Sequence, residues 1–258
     1  DHDHVTHVHG NVNPVRDTEI IDTEVQMRDL ETVEARIGKV QKQAQTGGDK
    51  VAKRMYDLML KYQEALRQGK SARTVEIDNK EDKKLVDELC LLTDKPVLYV
   101  CNVDEASAAT GNMYTEAVKV AIVGENAEML IVAAATEADI AELDTHEERQ
   151  MFLEEAGLTE SGVSRLIRAA YKLLDLETYF TTGPDETRAW TYPRGTKAPQ
   201  AAGIIHSDFE RGFIRAEVIK YDDYVSLGSE KACREAGKIA IEGKEYVVQD
   251  GDIMHFLF

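Results

Sequence analysis

The chain has 258 residues, a length that fits one large domain or two of ordinary size. Hydrophobic residues make up 43% and charged residues 31%, the balance of a soluble globular protein rather than a disordered one. Its 48 acidic and 31 basic residues give a net charge of −17, which argues against broad non-specific binding to nucleic acids.

Three further features narrow the class of protein. The three cysteines form no CxxC pair, which argues against a disulfide framework or a thiolate zinc site. The longest apolar run, Met129 to Ala135, is far shorter than the roughly 20 residues of a membrane span, so we expect no transmembrane helix; the cysteine pattern favours the cytosol. The chain opens with Asp1-His2-Asp3-His4 and no initiator Met, so we expect a piece of a longer protein.

The first third of the chain has a helical pattern. After a polar opening of 16 residues, apolar residues recur every three to five positions from Ile21 to Ala44. A turn at 46–49 with an N-cap at Asp49 interrupts this pattern, which then resumes from Val51 to Leu66. The pattern predicts an antiparallel helical hairpin of the coiled-coil type, followed by a third helix over 81–92.

The pattern then changes to strands alternating with helices. Apolar runs at 96–102 and 129–135 flank a helical segment near 115–123, which predicts a βαβ unit with parallel strands. Helices are expected over 138–156 and 160–174. From Thr178 onward the chain is strand-rich with one main helix over 201–211, which predicts a separate small α+β domain. Its expected strands are 186–192, 215–221, 245–248 and 253–258.

Two motifs resemble a phosphate-binding loop and a metal site, but both have simpler explanations. Gly69-Lys70-Ser71 matches the end of a phosphate-binding loop, but Glu64 stands where that loop needs a glycine, and a helix precedes it instead of a strand. We therefore predict a helix C-cap. The four histidines among the first nine residues lack any HExxH or Cys/His pattern, so a polar loop is favoured over a metal site.

The strongest chemical pattern is Asn102-Val103-Asp104-Glu105, directly after the first apolar run. Ligands of open α/β sheets bind at the carboxyl ends of the strands. GTPases place Asn-Lys-x-Asp here, and that Asp accepts hydrogen bonds from two guanine donors that adenine lacks. The longer Glu105 can swing away from the base, which favours adenine. An ordinary strand-to-loop turn is the alternative interpretation.

This motif belongs to a series that covers the whole chain. The other members are AATEADIAEL at 134–143, YFTTG at 179–183, RAWT at 188–191 and APQAAGIIHSDFERGFIRA at 198–216. Together they resemble the YchF or Obg-like ATPase family. The resemblance implies an α/β chain: a partial, Rossmann-like P-loop NTPase domain with an inserted helical coiled-coil hairpin, and a C-terminal α+β domain of the β-grasp (TGS) type. The implied division is 1–20 with 93–176 for the nucleotide domain, 21–92 for the hairpin and 177–258 for the TGS domain.

The resemblance also implies an activity. It predicts a cytoplasmic, ribosome-associated, monomeric hydrolase that prefers ATP to GTP and uses Mg²⁺, without a membrane or sequence-specific DNA partner. The implied base-binding residues are Asn102, Val103, Glu105, Ala133, Ala134 and Ala135. His7 matches the histidine that positions the attacking water. Because the P-loop, the switch regions and the Mg²⁺ ligands would precede Asp1, we expect no metal ligands in this chain and no hydrolysis by it alone.

Two alternatives belong to other functional classes. The hairpin and the C-terminal domain would suit a non-catalytic adaptor that binds a partner without nucleotide. The C-terminal domain would also suit an RNA-binding module if its cations formed a basic patch, although such a set is more typical of an ordinary solvated surface. These cations are Arg188, Arg194, Lys197, Arg211 and Arg215.

Overall fold

The computed structural model describes residues 10–46, 49–125, 127–183 and 186–258. The described residues up to Leu166 form one compact unit, the N-terminal unit, and Ile167–Phe258 form a second, the C-terminal unit. Both contain helices and strands, as the mixed α/β class predicts. Among the described residues, no helix combines the length and the apolarity needed to cross a membrane.

The N-terminal unit begins with two long helices, α1 (Pro14–Gln45) and α2 (Lys50–Arg67). The predicted cap at Asp49 is confirmed, since its Oδ1 accepts hydrogen bonds from the N–H groups of Val51 and Ala52 at 3.0 and 2.9 Å. The helices run antiparallel and share a buried core of Val33, Val40, Met55, Leu58, Met59, Tyr62 and Leu66. The two helices of the predicted hairpin are therefore present. Their coiled-coil geometry stays a prediction.

The Gly69-Lys70-Ser71 segment ends α2, as predicted. Gly69 has φ +70°, a left-handed conformation that suits glycine. Its N–H donates to the Leu66 carbonyl at 3.0 Å, and the Lys70 N–H donates to the Ala65 carbonyl at 2.9 Å. These two bonds form a Schellman cap, so the N–H groups at this turn close a helix instead of facing a phosphate. Helix α3 (Lys80–Asp87) follows.

A buried carboxylate joins α1 to the segment that precedes the sheet. Asp29 has only 2% of its surface exposed. It accepts hydrogen bonds from the Leu92 N–H at 2.8 Å and from the Thr93 N–H and hydroxyl, both at 2.7 Å. The Thr93 hydroxyl oxygen in turn accepts from the Ala72 N–H at 2.9 Å. Because the Asp29 carboxylate accepts these three hydrogen bonds, its burial is compensated.

The predicted βαβ unit is confirmed. Strands β1 (Val97–Asn102) and β2 (Ala127–Val132) pair in parallel on either side of helix α4 (Met113–Ala121). Strand β2 ends three residues earlier than the apolar run suggested, because Ala134 already belongs to the next helix. The elements that follow are α5 (Ala134–Glu142), α6 (His146–Glu155) and α7 (Gly162–Leu173). The helix expected over 138–156 is thus two helices, and a capping box between Thr145 and Glu148 starts the second.

The C-terminal unit is a five-stranded mixed sheet with helices. Its elements are β3 (Leu176–Thr182), β4 (Thr187–Pro193), α8 (Ala198–Ile205), α9 (Ser207–Gly212), β5 (Arg215–Ile219), α10 (Tyr221–Leu227), α11 (Glu230–Glu235), β6 (Ala240–Glu242) and β7 (Ile253–Leu257). The strand order is β4-β3-β7-β5-β6, and only the β3–β7 pair is parallel.

Three predictions for this unit were wrong in detail. The helix expected over 201–211 is two helices, because His206 is extended and its Nδ1 caps α9 by accepting from the Asp208 N–H at 3.2 Å. The segment 245–248 is not a strand, and Val247 makes a single β-bridge with Lys197. Helices α10 and α11 and strand β6 lie in the stretch for which no element was predicted.

A second buried carboxylate organises the turn before β7. Asp252 has 0% exposure and binds the Lys220 ammonium at 2.6 Å, the Tyr246 hydroxyl at 2.6 Å and the Gln249 N–H at 3.0 Å. Burial, together with the hydrogen bond to Asp252, raises the pKa of Tyr246 to about 12. The neutral phenol is therefore a donor throughout the physiological pH range.

We predict that Asp29→Ala destabilises the protein. The change removes the acceptor of three hydrogen bonds and leaves the N–H groups of Leu92 and Thr93 without that partner. The free energy of unfolding should fall by about 3 kcal/mol, measured by urea titration with circular dichroism. The control is Asp57→Ala, an exposed aspartate on α2, with a change of less than about 0.5 kcal/mol. Equal effects of the two substitutions would contradict the assigned role of Asp29.

Candidate functional site

The candidate site lies where β1 and β2 end. Asn102 and Val132, the last residues of the two strands, are Cα partners in the parallel register. The Val103 N–H donates to the Val132 carbonyl at 2.9 Å, so the ladder continues one residue past β1. The loops that follow the strands are therefore held side by side at the carboxyl edge of the sheet, the usual ligand position of this architecture.

Asn102 connects these two loops. Its Oδ1 accepts a hydrogen bond from the Ala134 N–H at 3.0 Å. Ala133 occupies the N-cap position of α5 and has no side-chain acceptor, so Asn102 caps this helix from the neighbouring strand. A backbone N–H can only donate, which means that the oxygen of the amide must face it. The Nδ2 group of Asn102 consequently remains a donor for an acceptor on a ligand.

Val103 has a restricted role. Its side chain is half-buried and packs against a core cluster that includes Ala108, Ala133 and Leu153. Its N–H is already bonded to Val132. Of its backbone groups, only the carbonyl is left to contact a ligand, and a carbonyl can only accept a hydrogen bond.

Glu105 lies on the surface of the same loop. It is exposed and begins a short 3₁₀ helix, Glu105–Ser107. The Asp104 carboxylate starts this helix by accepting from the Ser107 N–H at 2.9 Å. The Glu105 carboxylate can therefore change its rotamer without disturbing the core.

The three alanines differ in their surroundings. Ala133 is 3% exposed and belongs to the core cluster, so its side chain is covered by protein. Ala134 and Ala135 are exposed in the first turn of α5. The resemblance places the three alanines in the loop after the second strand, but only Ala133 precedes the helix. The early helix start follows from the high helix propensity of alanine and from the cap that Asn102 supplies.

A cleft of about 410 Å³ opens beside β1. Asn102 and Val103 line it together with residues of α4 and the start of α1, whereas Glu105 and the three alanines do not. Burial raises the pKa of the Cys101 thiol in the cleft wall, so this cysteine is protonated at neutral pH and is no nucleophile. The cleft therefore offers hydrogen-bonding and apolar contacts rather than a reactive group.

Two residues that were not among the predicted site residues hold the β2–α5 loop in place. The Glu137 carboxylate on α5 accepts from the N–H groups of Gly162 and Val163 at 2.5 and 3.3 Å, which caps α7. Arg165 on α7 donates to the Ile131 carbonyl at 2.9 Å, near the end of β2. A Cβ at Gly162 would lie 2.7 Å from the Glu137 carboxylate, so this contact requires glycine. Glu137 and Arg165 lie more than 20 residues along the sequence from their partners, so no local sequence pattern predicts these contacts.

The predicted catalytic His7 lies outside the described residues. Within the described part of the chain, no three His, Cys, Asp or Glu side chains are grouped so that they could hold a metal ion. The described residues therefore offer no cluster of ligands that would hold a divalent cation without the phosphates of a nucleotide.

The suggested basic patch of the C-terminal unit is largely neutralised. Arg194 pairs with Asp175 at 2.9 Å, Lys197 pairs with Glu245 at 2.5 Å, and Arg211 pairs with Asp208. Arg188 stacks over the Trp190 ring at 4.2 Å. Paired side chains of this kind are typical of a solvated surface, the interpretation that the sequence favoured.

Comparisons with known proteins identify the family of the chain. The family model YchF-GTPase_C, described as a protein of unknown function (DUF933), matches residues 176–258. The "Ribosome-binding ATPase YchF" of Bacillus subtilis (strain 168) is 52% identical over 258 residues, which cover 99% of this chain and 70% of that protein. The protein of the same name from Escherichia coli O157:H7 is 47% identical, with 100% and 70% covered.

A solved structure gives the same result at the level of the fold. The "Structure of the Schizosaccharomyces pombe YchF GTPase" superposes with a TM-score of 0.86 and 34% sequence identity, covering 100% of this chain and 69% of that one. Identity of this degree over nearly the whole chain, and over more than two thirds of the bacterial relatives, leads to one conclusion: the chain belongs to the YchF/Obg-like ATPase family.

Proposed function

We propose that this chain supplies the base-binding side of the nucleotide site in a ribosome-associated ATPase. The observation that carries the proposal is the hydrogen bond from the Ala134 N–H to Asn102 Oδ1, which leaves Nδ2 as a donor at the carboxyl edge of the sheet. Both adenine and guanine present the acceptor N7, so an Nδ2 donor would hold either purine. The names of the bacterial relatives, which contain "ribosome-binding ATPase", support the partner and the nucleotide.

The preference for ATP over GTP would come from Val103 and Glu105. Since the Val103 N–H is bonded to Val132, the carbonyl is its remaining backbone contact. Adenine carries an amino donor at position 6, and guanine carries an oxygen acceptor there, so a carbonyl would bind adenine and oppose guanine. Glu105, exposed and unconstrained by the core, would avoid the N1 lone pair of adenine. Ala134 and Ala135 would contact the base with their methyl groups, beside Ala133.

The phosphate side of the reaction would depend on groups that these residues do not supply. No complete P-loop motif is present in the 258 residues, and no three His, Cys, Asp or Glu side chains among the described residues are grouped to hold a metal ion. Where it is bound, Mg²⁺ neutralises phosphate charge during transfer. We therefore propose that the 258-residue chain alone binds ATP weakly and does not hydrolyse it. His7 would position the attacking water.

The domain assignment is part of the proposal. Residues 1–20 and 93–176 would form the nucleotide domain, 21–92 a coiled-coil insertion and 177–258 a TGS domain. The mixed five-stranded sheet of the C-terminal unit, with its own buried core around Tyr179, Tyr192 and Phe256, supports the last assignment. A cytoplasmic location follows from association with ribosomes.

We predict that Asn102→Asp weakens the binding of ATP and GTP together. The aspartate keeps an oxygen for the Ala134 N–H but loses the Nδ2 donor, so Kd should rise by about tenfold for both nucleotides while Tm changes little. Asn102→Ala is the matched variant: it also loses the cap of α5, and its Tm should fall. The measurements use a protein that joins these residues to a P-loop domain. Isothermal titration calorimetry gives the Kd values for ATP and GTP, and a thermal melt gives Tm. Unchanged Kd values in Asn102→Asp would overturn the proposed role.

The specificity of the site is tested at Glu105. We expect Glu105→Asp to shift the ATP-to-GTP affinity ratio toward GTP by about fivefold or more, because the shorter carboxylate can accept from the two guanine donors. Val103 is left unchanged, since a lysine there would disturb the core cluster. Glu105→Ala is the control and should not favour GTP. If the ratio does not move in Glu105→Asp, the Val103 carbonyl alone would account for the discrimination.

His7 should affect turnover and not affinity. In the same joined protein, we expect His7→Ala to lower kcat while the Kd for ATP stays nearly constant, because a residue that orients water acts in the transition state. Single-turnover hydrolysis and equilibrium binding are the two measurements. An unchanged kcat would remove His7 from the proposed mechanism.

A further inference from the structure

The distal end of the helical hairpin has the opposite charge to the rest of the chain. Residues 36–54 contain six basic residues and one acidic residue, a net charge of +5, so the remaining residues carry −22. The basic residues are Arg36, Lys39, Lys42, Lys50, Lys53 and Arg54, and the acidic residue is Asp49. This separation of charge within 19 residues of a strongly acidic chain calls for a physical reason.

Three of these seven side chains already have a role in the fold. Arg54 forms ion pairs with Asp82 and, at 3.5 Å, with Glu81. Arg36 is half-buried and its guanidinium lies 4.0 Å from the Met55 sulfur. The Asp49 carboxylate caps α2 and is the only acidic side chain between positions 35 and 56.

The four remaining cations, Lys39, Lys42, Lys50 and Lys53, are here called the tip lysines. All four are exposed, and none forms a salt bridge with any residue that the structure describes. They also lie outside the buried stripe of the hairpin, which at this end is made of Val40, Ala52 and Met55. Packing of the two helices therefore does not require them.

Their spacing makes the arrangement unfavourable for the isolated hairpin. Lys39 and Lys42 are three residues apart on α1, and Lys50 and Lys53 are three apart on α2. Residues at this spacing are neighbours on a helix surface, and like charges there repel and destabilise the helix. Some exposed cations elsewhere, such as Arg194 and Lys197, have acidic partners. The hairpin end thus combines like-charge repulsion with full access to solvent.

We propose that the tip lysines bind the phosphate backbone of RNA. Lysine binds phosphate as a point charge and needs no fixed geometry of the partner. A mixture of exposed polar neighbours, Gln41, Gln43 and Gln45, can donate further hydrogen bonds to phosphate oxygens. The identity of the RNA as ribosomal rests on the proposed function; the phosphate contact itself does not.

The length of α1 makes this contact possible for an acidic protein. Lys39 and Lys42 lie 10 and 13 residues beyond Asp29, the residue that fixes α1 to the rest of the unit, which corresponds to about 15 and 20 Å of helix. At physiological ionic strength, charges further apart than about 8 Å are largely screened from each other. Apart from Asp49, the acidic residues nearest along the hairpin are Glu34, which is paired with Arg67, and Asp57, which lies four residues after Lys53.

The test uses the 258-residue chain and a variant with all four tip lysines replaced by Gln. Binding to a 20-base-pair RNA duplex is followed by fluorescence anisotropy between 50 and 200 mM KCl. Loss of about four phosphate contacts should lower the slope of log K against log salt by about 3, and binding at 100 mM should weaken by at least tenfold. The matched control replaces four other exposed lysines by Gln and has the same net charge: Lys80, Lys84, Lys95 and Lys244.

Each outcome has a definite meaning. An equal loss in the control variant would show that only net charge matters and would overturn the proposal. Binding of a glutamate-rich peptide in place of the duplex, with the same dependence on the tip lysines, would also overturn it in favour of an acidic protein partner. Circular dichroism melts of both variants exclude misfolding as the cause.

Sedimentation with ribosomal subunits separates this proposal from the proposed function. If the parent chain sediments with ribosomes but the parent and the tip variant bind the duplex equally, the tip proposal fails while ribosome association stands. If the parent binds the duplex through the tip lysines but does not sediment with ribosomes, the tip proposal stands and the ribosomal role fails.

Discussion

The buried carboxylate of Asp29 is the constraint on which the arrangement of the N-terminal unit depends. It accepts three hydrogen bonds from Leu92 and Thr93, a few residues before β1 begins. Helix α1 has 32 residues and a length of about 48 Å. Its first turn lines the cleft beside β1, its middle is fixed by Asp29, and its end carries two tip lysines. A single helix therefore connects the candidate base site with the basic end of the hairpin, and the Asp29 hydrogen bonds hold its middle against the segment before β1.

The candidate base site depends on which of its donors and acceptors are already hydrogen-bonded within the fold. The oxygen of Asn102 satisfies the exposed N–H at the start of α5, which leaves the Nδ2 group to donate to a ligand. The Val103 N–H is committed to the ladder, which leaves an acceptor. A donor and an acceptor in adjacent positions match N7 and the 6-amino group of adenine. In the proposed function, the specificity of this loop would follow from which of its hydrogen-bonding groups the fold has already used.

Much of the local structure was predictable because its causes lie close together in the sequence. The cap at Asp49, the helix end at Gly69 and the parallel pair β1–β2 each follow from a pattern within a dozen residues or from two apolar runs. The contacts that complete the site were not predictable in this way. Asn102 bonds to a residue 32 positions away, Asp29 to residues 63 and 64 positions away, and Glu137 to Gly162. Such bonds depend on tertiary packing, which no local pattern encodes.

The charge of the chain illustrates a related difference of scale. A net charge of −17 argues against binding to nucleic acids only if the whole charge acts at the point of contact. Screening over about 8 Å means that a ligand senses the charges near it and little of the remainder. In the C-terminal unit, the suggested basic patch contains arginines and a lysine with carboxylates within a few ångströms, so its local charge is small. At the hairpin end, four lysines share one carboxylate that already caps a helix. The local excess of positive charge therefore lies where the fold carries it away from the acidic residues, and the sum over the chain conceals it.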